Sequence, residues 1–81
     1  MITIYTSDTC PNCIKVEKYL NDNEVPYMKK QVNGDGERAT VYAKELLSRG
    51  YLGVPLTVYQ DKEVVGFDKE GLDEIINAYE G

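Results

Sequence analysis

Cys10 and Cys13 are the two cysteines of this 81-residue chain, and they frame the stretch Cys10-Pro11-Asn12-Cys13. Histidine and tryptophan are absent. Without histidine there is no Ser/His/Asp triad, no Cys/His protease pair and no imidazole general base. No GxxxxGK[ST] or GxGxxG stretch occurs, which removes the usual phosphate-cradling loops. Thiol chemistry is what remains. Two sulfurs at i and i+3 can pass between dithiol and disulfide. A helix starting between them would set the first sulfur beside unpaired N–H groups at the positive end of the helix dipole, which favours its thiolate. Cys10 is therefore expected to attack a substrate disulfide. Cys13, one helical turn on and more buried, is expected to attack the mixed disulfide and release the reduced product. Pro11 and Asn12 are the active-site loop between them.

Other uses of the pair are weaker. A bridge closing so short a loop removes only about 2 kcal/mol of unfolded-state entropy, and a reducing cytosol would open it. Zinc takes four ligands, and with two cysteines and no histidine the rest would have to come from carboxylates or a second chain, so no metal ligand is expected. A non-catalytic metal or iron–sulfur binding module is the alternative of a different class.

The flanking pattern supplies elements able to position the pair. Ile2, Ile4 and Thr6 alternate with Thr3 and Tyr5 in a strand that ends at Ser7-Asp8-Thr9. Pro11 suits the first helical turn, and Cys13, Val16 and Leu20 recur on one face of a helix from about Pro11 to Asn21. Tyr27 to Val32 reads as a lysine-rich edge strand after Val25-Pro26. Asn33-Gly34-Asp35-Gly36 reads as a turn. Beyond it Ala39, Tyr42, Ala43, Leu46 and Leu47 form a helical stripe that Gly50 can cap. Leu56 to Tyr59 and Glu63 to Val65 read as a hairpin joined by Gln60-Asp61-Lys62. Leu72, Ile75, Ile76 and Tyr79 mark a last helix with Asp68 as its N-cap. The order βαβαββα requires a parallel first pair with a right-handed crossover and an antiparallel late pair. That is a mixed four-stranded sheet with helices on both faces, an α/β fold.

Composition narrows the setting. The length fits one domain spanning residues 1–81. Nine Lys+Arg against 14 Asp+Glu give a net charge of −5, a field that repels polyanions, so nucleic acid is not an expected partner. The seven tyrosines have nothing basic interleaved with them and read as core and rim residues rather than a stacking platform. No apolar stretch approaches the ~20 residues of a membrane span. Met1 leads straight into the first strand with no basic or apolar leader, so a cytoplasmic location is expected. The apolar stripes are each needed for one small core, which makes a monomer the expected state.

Tyr5-Thr6-Ser7-Asp8-Thr9-Cys10-Pro11-Asn12-Cys13, Gly53-Val54-Pro55 and Val65-Gly66-Phe67-Asp68-Lys69-Glu70 resemble the stand-alone glutaredoxin-like redoxins of the thioredoxin superfamily. These include redoxins that serve ribonucleotide reductase, and the resemblance covers nearly the whole chain. It implies a thioredoxin/glutaredoxin fold with three helices. It also implies a cis Pro55 beside the cysteine pair, leaving Val54 backbone groups free to bond an extended substrate strand. By the same resemblance Gly66, Phe67 and Asp68 border the cysteines and hold a peptide or glutathione. From the residues alone, these positions equally read as a trans proline opening an edge strand, a hairpin exit where a missing Cβ permits close approach, one core aromatic and an N-cap.

Glutaredoxins usually carry a basic residue shortly before the first cysteine, where this chain has Ser7-Asp8-Thr9. Asp8 would repel the anionic ends of glutathione and oppose a thiolate at Cys10, leaving Lys15, Arg38 and Lys44 as sources of positive charge. The Trp-Cys-Gly-Pro-Cys of typical thioredoxins is absent, although the Gly66-Phe67 pair resembles redoxins that draw electrons from thioredoxin reductase. The resemblance thus implies a dithiol/disulfide oxidoreductase with no tightly bound cofactor. It would reduce disulfide-containing proteins such as a ribonucleotide reductase, with thioredoxin reductase as electron donor. The alternative is a glutathione-dependent enzyme that uses glutathione as co-substrate.

Overall fold

In a computed structural model, which describes residues 1–34 and 36–81, the expected element order is found. It runs β1 (Ile2–Thr6), α1 (Pro11–Asp22), β2 (Tyr27–Gln31), α2 (Glu37–Ser48), β3 (Leu56–Tyr59), β4 (Lys62–Val65) and α3 (Lys69–Glu80). The strands lie in the order β2-β1-β3-β4. β1 is parallel to β2 with Ile2 opposite Tyr27 and Thr6 opposite Gln31. β3 is antiparallel to β1 and to β4, with Leu56 facing Tyr5 on one side and Val65 on the other. The lysine-bearing β2 is an edge strand, as its composition requires.

Strand alternation divides the interior into two layers. Ile2 and Ile4 point to the face covered by α1 and α3, where they join Val16, Leu20, Val25, Val64, Leu72, Ile75 and Ile76 in one buried cluster. Tyr5, Leu56 and Val58 point the other way and meet Leu46 of α2. The second face is the more polar. Glu45 of α2 accepts hydrogen bonds from the Tyr5 hydroxyl and from Lys30 Nζ, each at 2.8 Å. Glu63 of β4 takes Arg49 at 3.1 Å and the Tyr51 hydroxyl at 2.9 Å.

Several local expectations are corrected. Leu47, read as part of the buried stripe of α2, is 55% exposed, because the helix presents Ala39, Tyr42, Ala43 and Leu46 to the sheet and turns Leu47 outward. Lys62 belongs to β4, leaving Gln60-Asp61 as the hairpin turn with Gln60 at φ 54°. β2 stops at Gln31, although the Val32 N–H still bonds Thr6 O at 2.9 Å. Asp35, in the expected turn after β2, lies outside the described residues. Gly71 is a close-packing glycine that periodicity passes over: a Cβ there would fall 2.9 Å from Val64 Cγ2, so its absence lets α3 settle on β4. Among the described residues no helix is long and apolar enough to cross a membrane.

Candidate active site

The loop after β1 and the start of α1 hold the cysteines. Cys10 is the N-cap of α1, in extended conformation at φ −104° and ψ 110°, and Pro11 occupies the first helical position. The Cys13 backbone N–H donates to Cys10 Sγ at 3.2 Å, the placement in which a thiolate takes over one of the helix's unpaired donors. On its other side the Cys10 thiol donates to the Val54 carbonyl at 3.8 Å. Cys10 is half-buried and Cys13 fully buried, and the two sulfurs are not joined.

Burial, and after it the hydrogen bond of its thiol to Cys10, push Cys13 above the ordinary range of a cysteine. The Thr6 side chain and the Ser7 backbone pull it the other way. The pair is thus asymmetric: one sulfur reachable and donor-supported, the other dry and protonated in the resting dithiol.

The Val54–Pro55 peptide bond is cis, as the resemblance implied. The Gly66 N–H donates to Pro55 O at 2.9 Å, so the β4–α3 connection lies beside the segment that touches Cys10. Cys10, Val54, Pro55 and Gly66 are therefore brought together. Gly66 adopts φ +71°, and a Cβ on it would meet nothing within 4 Å. The positive φ favours glycine, and no protein atom lies close enough to require the missing Cβ.

Phe67 is 40% exposed, not a core aromatic, and stands edge-on to Tyr19 of α1 with ring centroids 6.0 Å apart. The Asp68 carboxylate accepts from the Gly71 N–H at 3.4 Å and caps α3.

Asp8 is held by Asn33, which bonds both its backbone N–H and its carboxylate. Lys15 joins Lys18, Tyr19, Asp22 and Phe67 around a shallow hollow of about 160 Å³. Arg38 lines a second hollow with Lys29, Gln31 and Asn33 between β2 and α2. Lys44 is exposed on α2. Ile14, next to Cys13 in α1, is 61% exposed, and Leu52, two residues before Val54, is 91% exposed, apolar surface that sequence periodicity did not mark. Among the described residues no group of three or more His, Cys, Asp or Glu is placed to hold a metal ion.

Comparison with known proteins agrees with this geometry. The glutaredoxin family model matches residues 2–65. A glutaredoxin-like 8.6 kDa protein in the rubredoxin operon of Clostridium pasteurianum is 32% identical over 77 residues, covering 94% of this chain and 97% of that protein. The global transcriptional regulator Spx 1 of Bacillus cereus is 29% identical over 78 residues. That alignment takes in 96% of this chain, which spans only 45% of the regulator's length. The crystal structure of a glutaredoxin from Archaeoglobus fulgidus superposes with a TM-score of 0.77 at 30% identity, over 93% of this chain and 84% of that one. The architecture is the thioredoxin/glutaredoxin fold.

Proposed function

This chain belongs to the glutaredoxin family, and from that premise we propose that it is a dithiol/disulfide oxidoreductase that reduces protein disulfides through Cys10 and Cys13. The observation that carries the reading is the contrast at the start of α1: a half-buried Cys10 sulfur receiving the Cys13 N–H at 3.2 Å, backed by a fully buried Cys13 thiol. Cys10 thiolate attacks one sulfur of the substrate disulfide, a Cys10–substrate bond forms, and the other substrate sulfur leaves with the electron pair. Cys13 then attacks Cys10 Sγ, the intramolecular disulfide closes, and the second substrate thiol departs. Once Cys10 is deprotonated its thiol no longer donates to Val54 O, and that carbonyl is free to accept from an extended substrate strand. Pro55 and Gly66 frame that approach, Pro11 and Asn12 set the loop, and Phe67 with Asp68 forms its outer border.

The protein disulfides served include that of a ribonucleotide reductase, and the electron donor is a thioredoxin reductase. The Ser7-Asp8-Thr9 stretch supports this donor over glutathione, since the residues before Cys10 offer an anionic tripeptide no cation. The test is NADPH consumption with a disulfide substrate and thioredoxin reductase, glutathione being absent and Cys10→Ser serving as control. Turnover that depends on Cys10 is expected. Turnover only with glutathione and glutathione reductase would assign the donor to glutathione, and turnover unaffected by Cys10→Ser would overturn the mechanism.

A further inference from the structure

Asp8 and Asn33 join two loops that the sheet brings to one end. β1 and β2 are parallel, with Thr6 opposite Gln31 and the Val32 N–H bonded to Thr6 O, so the loop carrying Cys10 and the loop after β2 leave side by side. Asn33 bridges them in both directions. Its side-chain carbonyl accepts from the Asp8 N–H at 3.2 Å, and its side-chain amide donates to the Asp8 carboxylate. The Asp8 end belongs to a tight turn, in which the Cys10 N–H donates to Ser7 O at 3.4 Å and the Thr9 N–H to Ser7 Oγ at 3.3 Å. The bridge therefore ties down the turn that delivers Cys10 to the start of α1. Of the five asparagines in the chain, Asn33 alone is followed by glycine. Gly34 is exposed at φ +102° and carries no Cβ, so no side chain shields its backbone nitrogen from the neighbouring side-chain amide.

We infer that Asn33 is a site of spontaneous deamidation, and that the reaction opens the bridge to the Cys10 loop. The Gly34 backbone nitrogen loses its proton and bonds to Asn33 Cγ, and the side-chain amide leaves as ammonia. Water then opens the resulting succinimide to a carboxylate, through the aspartyl or the isoaspartyl connection. One water is consumed and one ammonia released, with no change of oxidation state. Both bonds of the bridge are solvent-exposed, so they open readily and slow the reaction without stopping it. In the product the donor to the Asp8 carboxylate is gone and a second carboxylate faces the first. The two like charges repel, which frees the Asp8 side chain. Asp8 lies two residues before the N-cap of α1, and a free carboxylate there competes with the Cys10 thiolate for the positive end of the helix. Deamidation is thus a one-way, non-redox change in the reactivity of Cys10. The effect on Cys10 rests on the reading of that sulfur as the attacker; the modification itself does not.

The test incubates the reduced, folded protein at neutral pH and follows Asn33 by peptide mass spectrometry and by isoaspartyl methyltransferase. A gain of about one dalton is expected at Asn33 and not at Asn12, Asn21, Asn23 or Asn77. Asp8→Ala removes the carboxylate end of the bridge and should speed the conversion about three- to tenfold, the protection one such hydrogen bond supplies. Alkylation of Cys10 by iodoacetamide, an uncharged reagent, reads the consequence. Asn33→Asp should be alkylated about threefold more slowly than wild type, the size of one charge at a helix end. Exchanging the pair, Asp8→Asn with Asn33→Asp, sets a donor against the new carboxylate and should restore the wild-type rate.

An Asn33 that stays unmodified in the folded protein while the guanidinium-unfolded chain is converted would overturn the inference. So would an Asp8→Ala protein that deamidates no faster than wild type, or an Asn33→Asp protein alkylated at the wild-type rate. An exchanged pair as slow as Asn33→Asp would overturn the part assigned to the bridge. Wild type alkylated at Cys13 before Cys10 would overturn the reading of Cys10 as the attacker, while the mass of the Asn33 peptide would still decide the modification.

Discussion

Cys10 and Cys13 are the same residue type three positions apart, yet one caps a helix at the surface and the other lies in the core. The first has a backbone N–H at 3.2 Å and a route to solvent. The second is pushed toward its protonated form by burial and by its bond to Cys10. A helix start laid against a sheet creates this division: Cys10 caps the exposed end of α1, while Cys13, one turn on, lies on the buried stripe with Val16 and Leu20. Attack and resolution are thus assigned by position rather than by residue type.

Removing either sulfur breaks the contrast most severely. Cys10→Ser should lower turnover about 10³-fold or more, as loss of a nucleophile does, while Cys13→Ser should keep the first attack and accumulate mixed disulfides visible by mass spectrometry. Loosening the layer beneath Cys13 comes next. Leu20 is fully buried in the same helix stripe, and Leu20→Ala should cost about 2–5 kcal/mol in denaturant unfolding while leaving the attack by Cys10 in place.

The pH dependence of stability sharpens the contrast further. Since Cys13 is raised, the folded dithiol keeps a proton over a pH range in which the unfolded chain has lost it. Its contribution is full below the ordinary cysteine range and is lost as pH rises through the raised value. Unfolding of reduced wild type and Cys13→Ser across alkaline pH should therefore converge as pH rises. The smallest effect belongs to the opposite face of the sheet. The Lys30 ammonium, and after it the Tyr5 hydroxyl, hold Glu45 below the usual carboxylate range. That contribution is present at neutral pH and fades as pH falls through the lowered value. The Glu45 side chain is 37% exposed, so Glu45→Gln should cost at most about 1 kcal/mol at neutral pH and leave the redox steps untouched.

The face carrying the cysteines was the more legible in the sequence. Val16 and Leu20, like Leu72, Ile75 and Ile76, follow helical spacing into a dry cluster, with Cys13 buried on the same stripe of α1, and apolar spacing reports dry packing directly. The α2 face is half polar: Glu45, Lys30 and Arg49 share it with Leu46, and periodicity could not tell that Leu47 turns away. Proximity across the chain was less accessible still. That Gly66 bonds Pro55, or that Asn33 holds Asp8, depends on loop paths that no local pattern encodes.

The account stands or falls on which sulfur reacts first. The direct measurement is the rate at which the single-cysteine variants Cys13→Ser and Cys10→Ser release thionitrobenzoate from dithiobis(nitrobenzoate) at neutral pH. Fast release by the protein that retains Cys10, with release about tenfold or more slower from the one that retains Cys13, is the result expected from the access of Cys10 and the burial of Cys13. Comparable rates, or a faster Cys13, would contradict the assignment of attack to Cys10.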